Sequence, residues 1–320
     1  MNIFIEIPTW LGDAVMTTPA IENILEKYPD SQLIIFGSFV STSIFKYHPR
    51  VKKIIIDESR KKTFRYFNLY KIAKSIGTVD LALSFRKNFT TKFLFYFINA
   101  KEKYIYNKLK LKQDIHQVIR YNDFINDSLN VNTIPNELKI YKKDNTKHKA
   151  QGSKLVLGIN PGATYGSAKR WYPEEFAKVA ISLATTYDIK IFGGPTETDI
   201  ALDIEEELKK ANITNYENLA GKTSIDELIE NISNLDLFIT NDSGPMHIAA
   251  AFGIPTVAIF GPTKYKETHQ WNNDNEMLIR KDLECSPCMK RVCPLKHHEC
   301  MSLITADDVL DKLKERDYIN

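Results

Sequence analysis

Short apolar runs alternate along the chain with amphipathic segments of helical length, and no other feature constrains the fold as strongly. Eight runs rich in Ile, Val, Leu and Phe are predicted to form strands: residues 3–7, 33–36, 53–56, 81–85, 155–159, 189–192, 235–240 and 256–260. Brief apolar strands, each followed by about 10–15 helical residues, are typical of parallel sheets that helices cover on both faces. The chain is therefore predicted to be an α/β protein with doubly wound parallel sheets.

A polar tract near the middle divides this pattern into two halves. Residues 141–154 have no hydrophobic periodicity and are rich in Lys, Asp, Asn, Gly and Ser, which is typical of a linker. With 320 residues, of which 43% are hydrophobic, the chain is long enough for two separate cores. We predict an N-terminal domain over residues 1–150 and a C-terminal domain over residues 151–320.

The sequence predicts a cytoplasmic protein. Its longest apolar run, around residues 93–100, is far shorter than the roughly 18 residues that a membrane-spanning helix needs. Residues 1–8 contain Glu6 and no basic residue, unlike the start of a secretory signal.

Charge is distributed unevenly between the two halves. Residues 1–150 hold 25 Lys and Arg against 14 Asp and Glu, a net charge of +11, whereas residues 151–320 hold 18 against 26, a net charge of −8. The basic residues of the first half concentrate in residues 46–74 and 86–112. One interpretation is an ordinary solvated surface. The other is a face for an anionic partner: nucleic acid, a phosphorylated glycolipid or a membrane surface.

The turn after the first strand contains Gly12 and Asp13. Gly12 allows a ligand to approach the backbone, and Asp13 falls in the first turn of the next helix, where the helix dipole favours a carboxylate. Asp13 therefore has two interpretations, a helix-stabilising acid or a general base that takes a proton from an incoming hydroxyl. No G-x-G-x-x-G motif supports dinucleotide binding here.

A loop after the strand at residues 155–159 is compatible with phosphate binding. Residues 160–171 combine glycines, the Thr164 hydroxyl and the Lys169-Arg170 pair, and backbone N–H groups beside a cation bind phosphate well. The alternative is a glycine-rich turn with an incidental lysine, since the Walker A spacing is absent.

Residues 240–253 predict a strand, a turn and a helix. Asp242 and Ser243 are candidates for the helix N-cap, Gly244 permits close approach, and His247 falls in the first helical turn. Free amides at a helix start bind anions. Glu197, after another strand, has the position of an acid that bonds ribose hydroxyls. These loops predict a nucleotide-binding domain.

Three of these segments resemble the lipopolysaccharide ADP-heptose heptosyltransferases of glycosyltransferase family nine. They are the Gly12-Asp13 turn, residues 161–171 and residues 240–247. The resemblance implies a GT-B fold, in which two Rossmann-like domains face each other across a cleft. It also implies that the C-terminal domain binds ADP-heptose and the N-terminal domain binds the lipid A acceptor. Such enzymes invert the anomeric centre without a covalent intermediate.

The resemblance also implies residue roles. Asp13 would be the general base, Lys169 would neutralise the diphosphate, and Glu197 would contact the ribose. The residues implied to bind the donor are Gly12, Thr164, Lys169, Glu197, Asp242, Ser243, Gly244, Met246 and His247. Candidates for the acceptor, which carries phosphate and carboxylate groups, are Arg60, Lys61, Lys62, His116 and Arg120.

The expected reaction is transfer of the second heptose onto the first heptose of the Kdo–lipid A inner core. Three alternatives stay open: transfer onto Kdo itself, a GT-B sugar-nucleotide epimerase, and a non-enzymatic module that binds nucleotides or polyanions. We expect no required cofactor, no nucleic-acid partner, and peripheral contact with the cytoplasmic face of the inner membrane.

Four cysteines, Cys285, Cys288, Cys293 and Cys300, lie within 16 residues. A tetrahedral structural zinc site is one interpretation, although only one C-x2-C pair is present. Free thiols are the favoured interpretation, and disulfides are disfavoured in a reducing cytosol.

Overall fold

A computed structural model describes residues 1–59, 63–107, 114–143 and 154–319. The chain forms two compact units, and the first of them ends at Lys143. The predicted domain boundary at residues 150 and 151, and most of the predicted linker, lie outside the described residues. Each unit is described by itself below.

The N-terminal unit is built on one parallel sheet. Its strands are β1 (Asn2–Glu6), β2 (Gln32–Gly37), β3 (Val51–Ile56), β4 (Thr78–Ser84) and β5 (Asn99–Ile105). They lie in the order β3-β2-β1-β4-β5, with Ile5 of β1 opposite Ile35 of β2 and Leu83 of β4. The chain order reverses beside β1, which places a topological switch point between β1 and β4.

Six α-helices accompany this sheet in the described residues. They are α1 (Leu11–Met16), α2 (Thr18–Lys27), α3 (Phe39–Thr42), α4 (Arg65–Ile76), α5 (Phe89–Phe97) and α6 (Gln117–Leu129). The inner sides of α4 and α5 bury Leu69 and Leu94 against Phe4 and Phe36 of the sheet. Burial of such side chains contributes about 1.5–3 kcal/mol each.

The C-terminal unit contains a six-stranded parallel sheet. Its strands are β6 (Leu155–Asn160), β7 (Tyr187–Ile191), β8 (Tyr216–Asn218), β9 (Leu237–Asn241), β10 (Thr256–Ile259) and β11 (Glu276–Ile279). Their spatial order is β8-β7-β6-β9-β10-β11. Numbered within the unit, this is the 3-2-1-4-5-6 order of a doubly wound Rossmann-like fold, with its switch point between β6 and β9.

Seven α-helices accompany the second sheet in the described residues. They are α7 (Pro173–Leu183), α8 (Thr198–Lys210), α9 (Ile225–Ile232), α10 (Gly244–Ala251), α11 (Tyr265–Thr268), α12 (Glu299–Ser302) and α13 (Ala306–Glu315). The sequence starts two of them with capping boxes, Ser224 with Glu227 at α9 and Thr305 with Asp308 at α13. Each box satisfies backbone N–H groups that have no partner inside the helix.

The predicted fold class is confirmed, because both sheets are parallel and doubly wound. Each of the eight predicted strands overlaps an observed one, while β5, β8 and β11 were not predicted. No helix among the described residues combines the length and the apolar character that crossing a membrane requires.

Gly158 in the middle of β6 provides a test of the central packing. A Cβ atom there would collide with Leu235 and lie 2.8 Å from Phe238 Cδ2, both of which are buried. We expect Gly158→Ala to lower the free energy of unfolding by about 1–3 kcal/mol, the usual range for overpacking a core. Denaturant unfolding followed by circular dichroism measures this change. An unchanged midpoint would contradict the close packing described here.

Candidate active site

Two asparagines at strand ends hold the loops of the C-terminal switch point together. Asn160 ends β6, and its Nδ2 donates towards Gly162 O (3.2 Å), Thr240 Oγ1 (3.2 Å) and Ser243 Oγ (3.1 Å). Asn241 ends β9, and its Nδ2 donates to Pro161 O at 2.7 Å. The loop after β6 is therefore tied to the loop after β9 from both sides.

Lys169 is brought into direct contact with Asp242 by this arrangement. Lys169 Nζ lies 2.6 Å from Asp242 Oδ2 and donates to the Asp242 carbonyl at 3.1 Å, while Thr263 Oγ1 donates to the same Oδ2 at 2.6 Å. Both charged side chains are largely buried, with 13% and 5% of the surface exposed. An ammonium has three N–H donors, and the contacts within the described residues use two of them, which leaves one for a further acceptor such as a phosphate oxygen.

The start of α10 differs from the sequence interpretation in one respect. Ser243 is the N-cap residue, but its side chain makes no cap hydrogen bond and its Oγ accepts from Asn160 instead. Asp242 is bound by Lys169 and Thr263, so its carboxylate does not cap the helix either. Neither side chain is committed to the amides at the helix start.

Gly244, Met246 and His247 all belong to α10. Gly244 opens the helix, where a missing side chain leaves the backbone accessible. Met246 is fully buried in an apolar cluster with Ala258 and Phe260. His247 is 3% exposed. The structure thus places the Met246 side chain in the core and not at the loop surface.

Glu197 joins the loop after β7 to the same region. Its Oε2 accepts from Gly194 N at 2.8 Å, and Arg170 Nη2 lies 3.9 Å from its Oε1. A Cβ on Gly162 would collide with the Glu197 carboxyl, which explains the glycine at this position. Within the described residues Glu197 Oε1 accepts no hydrogen bond although it is buried. This oxygen suits a donor from a ligand, such as a ribose hydroxyl.

The cysteine-rich segment braces the Lys169 loop, a relation that the sequence analysis did not predict. Arg291 O accepts from Ala168 N at 3.0 Å, and His298 Nε2 lies 2.9 Å from Ala168 O. Tyr165 OH donates to Met289 O at 2.8 Å. Thr164, in the same loop, is exposed.

The four cysteines line one small cavity of about 20 Å³, together with Ala168 and Pro262. None of them is in a disulfide. Among the described residues no three His, Cys, Asp or Glu side chains are arranged to hold a metal ion. The pKa of the Cys300 thiol is raised to about 11. Burial is the largest cause, and the nearby Cys288, Cys285 and Cys293 contribute the rest of the increase.

In the N-terminal unit, Gly12 and Asp13 lie in the first turn of α1 and are half-buried. This helix packs against α6. Burial raises the pKa of the Tyr121 hydroxyl on α6, and the negative charge of Asp13 raises it further. Asp13 is therefore near enough to Tyr121 for its charge to act on the hydroxyl.

The acceptor candidates are placed differently. His116 is the N-cap of α6, and its Nδ1 accepts from Val118 N at 3.2 Å. Arg120 is buried, with Nη1 3.5 Å from Gln117 Oε1. His116 thus has a structural role in addition to any contact with a ligand. Arg60, Lys61 and Lys62 lie outside the described residues.

A buried carboxylate that the sequence analysis did not assign lies at the N-terminal switch point. Glu6 ends β1, and its Oε2 accepts from Ser84 Oγ at 2.6 Å, while Arg86 Nη1 lies 3.2 Å from Oε1. Burial raises the pKa of the Glu6 carboxyl, against the lowering effects of Arg86 and Ser84. Its signal in the sequence is an acid that ends an apolar strand directly before the Gly12-Asp13 turn.

The strand order of the C-terminal unit, with loops that meet at its switch point, defines a Rossmann-like unit. A family model described as glycosyltransferase family 9 (heptosyltransferase) matches residues 69–299. This match covers well over half of the chain, so the chain belongs to glycosyltransferase family 9. The predicted family and the predicted enzyme class, a glycosyltransferase, are confirmed.

Similar proteins agree with this assignment. The chain is 44% identical to a lipooligosaccharide heptosyltransferase 2 of Campylobacter jejuni over 317 residues, which cover 98% of each protein. It is similar to the solved structure of Escherichia coli ADP-heptose lipopolysaccharide heptosyltransferase II, with a TM-score of 0.79, 21% identity and 98% of each chain covered. It is also similar to E. coli heptosyltransferase WaaC with ADP-2-deoxy-2-fluoro heptose, with a TM-score of 0.76, 17% identity and coverage of 99% and 100%. The predicted GT-B fold is confirmed.

The state of the cysteines is tested by alkylation. Because the pKa of Cys300 is about 11, its alkylation rate by iodoacetamide should rise about tenfold per pH unit between pH 8 and pH 10. Mass spectrometry of the native protein, sampled over time, measures this rate. A rate that levels off below pH 9 would contradict the raised pKa of Cys300, and labelling that increases after a metal chelator is added would contradict four free thiols.

Proposed function

We propose that this enzyme transfers heptose from ADP-L-glycero-D-manno-heptose to the first heptose of the phosphorylated Kdo–lipid A inner core. The observation that supports this most is the junction of three strand-end loops. There Lys169 presents a cation, Glu197 presents a carboxylate oxygen that accepts no hydrogen bond within the described residues, and the start of α10 presents backbone amides. Relatives named for heptosyltransferase 2 supply the substrate class.

The donor would be held by its diphosphate and its ribose. The third N–H of Lys169 would bind a diphosphate oxygen, and its pairing with Asp242 fixes the ammonium in place before the donor arrives. Glu197 Oε1 would accept from a ribose hydroxyl, as acids do in this position of Rossmann-like folds. The ADP-sugar analogue in WaaC supports a donor of this class.

The reaction would be a single displacement. The acceptor hydroxyl oxygen forms a bond to the anomeric carbon while the bond from that carbon to the diphosphate oxygen breaks, and ADP departs with the electron pair. This inverts the anomeric centre. Asp13 would take the hydroxyl proton, and Lys169 would stabilise the negative charge that develops on the diphosphate.

No metal or cofactor is required in this proposal, since Lys169 and the amides of the loops neutralise the leaving group. The acceptor is a lipid, so the enzyme would work in the cytoplasm at the inner membrane.

The acceptor itself tests the reaction: lipid A with Kdo and one heptose should be glycosylated, whereas lipid A with Kdo alone should not. Transfer to Kdo alone, or turnover of the donor without an acceptor, would contradict the proposal.

Asp13→Asn tests the general base. The amide keeps the volume of the side chain but cannot accept the proton, so kcat should fall about 10²–10⁴-fold while ADP binding and the melting temperature stay unchanged. A purely helix-stabilising Asp13 would instead leave kcat near the wild-type value in Asn and cost about 0.3–1 kcal/mol of stability in Ala. Steady-state kinetics with calorimetric melting distinguish the two roles.

Lys169→Ala tests the donor site. Loss of a charge-assisted contact of about 1.5–3 kcal/mol should lower kcat/KM for the donor by about 10²-fold. Because Asp242 would then lack its partner, the double variant Lys169→Met/Asp242→Asn separates a disturbed loop from a lost cation. Lys178→Ala, which breaks an exposed pair with Glu175 in the same unit, is the matched control and should leave the kinetics unchanged. Unchanged donor kinetics in both Lys169 variants would overturn the assignment.

A further inference from the structure

The outer faces of α4 and α5 carry an unusual number of exposed aromatic side chains. Phe89 and Tyr96 on α5 are 69% and 79% exposed, and Phe64, directly before α4, is 72% exposed. The other exposed rings of this surface are Tyr66, Phe67 and Tyr70. We call these six residues the aromatic surface. Scattered exposed apolar residues are normal in soluble proteins, but a contiguous group indicates an interaction site.

Ring contacts connect four members of the aromatic surface, Tyr66, Tyr70, Phe89 and Tyr96, and these rings lie outside the core cluster. The inner sides of both helices already fill the core with Leu69, Ala73 and Leu94. On the outer side, the ring centroids of Tyr66 and Phe89 lie 5.9 Å apart. The half-buried Phe97 ring of α5 lies 5.0 Å from the Tyr70 ring of α4. Ring contacts thus join the two helices into one apolar face that packing inside the unit does not explain.

Positive charge surrounds this face, and negative charge is absent from both of its helices. Neither α4 nor α5 contains Asp or Glu. Lys71 Nζ lies 4.5 Å from the Phe67 ring and Lys74 Nζ lies 5.6 Å from the Tyr70 ring. From residue 59 to residue 101 Asp80 is the one acidic residue of the sequence, and it pairs with Lys101 at 2.7 Å. The two ammonium groups therefore lie over rings of the aromatic surface.

We propose that the aromatic surface and its lysines dock the enzyme on a bilayer that contains anionic phospholipid. Phe side chains would enter the boundary between headgroups and acyl chains, Tyr rings would remain at headgroup level, and Lys71 and Lys74 would contact lipid phosphates. Charge complementarity favours this partner, because an anionic leaflet attracts a face without carboxylates. The inference rests on the proposed function for its purpose, since docking brings the enzyme to a lipid-anchored acceptor.

Vesicle sedimentation tests the docking without any transferase assay. We expect the full-length protein to bind vesicles of phosphatidylcholine mixed with phosphatidylglycerol and not vesicles of phosphatidylcholine alone. Two variants, Phe67→Ser/Phe89→Ser/Tyr96→Ser and Lys71→Glu/Lys74→Glu, should each weaken binding by at least about tenfold. Matched controls are Ile134→Ser, which removes an 81% exposed apolar residue elsewhere in the unit, and Lys222→Glu, which reverses an exposed lysine in the other unit. Both controls should bind as the wild type does.

Several results would overturn this inference. They are equal binding to neutral and anionic vesicles, binding that both surface variants retain, and an aromatic-dependent dimer or nucleic-acid complex in place of vesicle binding. Melting temperatures check that each variant is folded. Transfer to a deacylated, water-soluble acceptor should be unchanged in both variants, while transfer to the acceptor in vesicles should fall. A wild type that binds vesicles but transfers no heptose to either acceptor would contradict the proposed function and leave the docking surface intact.

Discussion

The pairing of β6 with β9 determines where chemistry can occur in the C-terminal unit. In this register Asn160 lies opposite Thr240, so the loops that leave the two strands start side by side. The helices α7 and α10 then diverge to opposite faces, as they do at every switch point of a doubly wound sheet. Hydrogen bonds from Asn160 to Ser243 and from Asn241 to Pro161 connect the two loops. The position of Lys169 beside Asp242 follows from this pairing.

Two largely buried ion pairs illustrate how the protein treats charge at its two switch points. Removing charges from water costs several kcal/mol per ion, and their mutual attraction offsets this only in good geometry. The Lys169–Asp242 pair has additional hydrogen bonds from Thr263 and to the Asp242 carbonyl. The Glu6–Arg86 pair has the Ser84 hydroxyl. Because of this desolvation cost, neither pair is expected to add much to the stability of a core. Both pairs lie where ligands bind in open α/β sheets. This favours roles in placing charge at a site.

The sequence predicted all the interior strands, because they are apolar on both faces, but only one of the four edge strands, the isoleucine-rich β3. The three strands that were not predicted, β5, β8 and β11, are all edge strands. β5 contains Lys101, Glu102 and Lys103, whose charges protect an edge but erase the hydrophobic signal. β8 has three residues, too few for any periodicity. Pattern analysis detects burial, and edge strands are only partly buried.

The candidate site was predicted at the level of loops but not of contacts. Glycine, hydroxyl and cation content identified residues 160–171 and 240–253 because those residue types suit phosphate wherever they are placed. One partner of Asp242 is Thr263, which is 21 residues away along the chain. No local sequence pattern predicts a contact between residues so far apart. The same holds for Glu6, whose partners are Ser84, which ends β4 78 residues later, and Arg86, which follows that strand. Met246 was predicted to bind the donor because it belongs to the same motif, but its side chain lies in the core.

The cysteine-rich segment contacts the loop that carries Lys169. Ala168 is held from both backbone directions, through N–H to Arg291 and through its carbonyl to His298, and it directly precedes Lys169. A Cβ on Gly166 would overlap Arg291 O, so the loop and the segment are in close backbone contact. The segment that carries the four cysteines therefore contacts the backbone directly before Lys169. The raised pKa of Cys300 keeps that thiol almost entirely protonated at neutral pH, which lowers its reactivity.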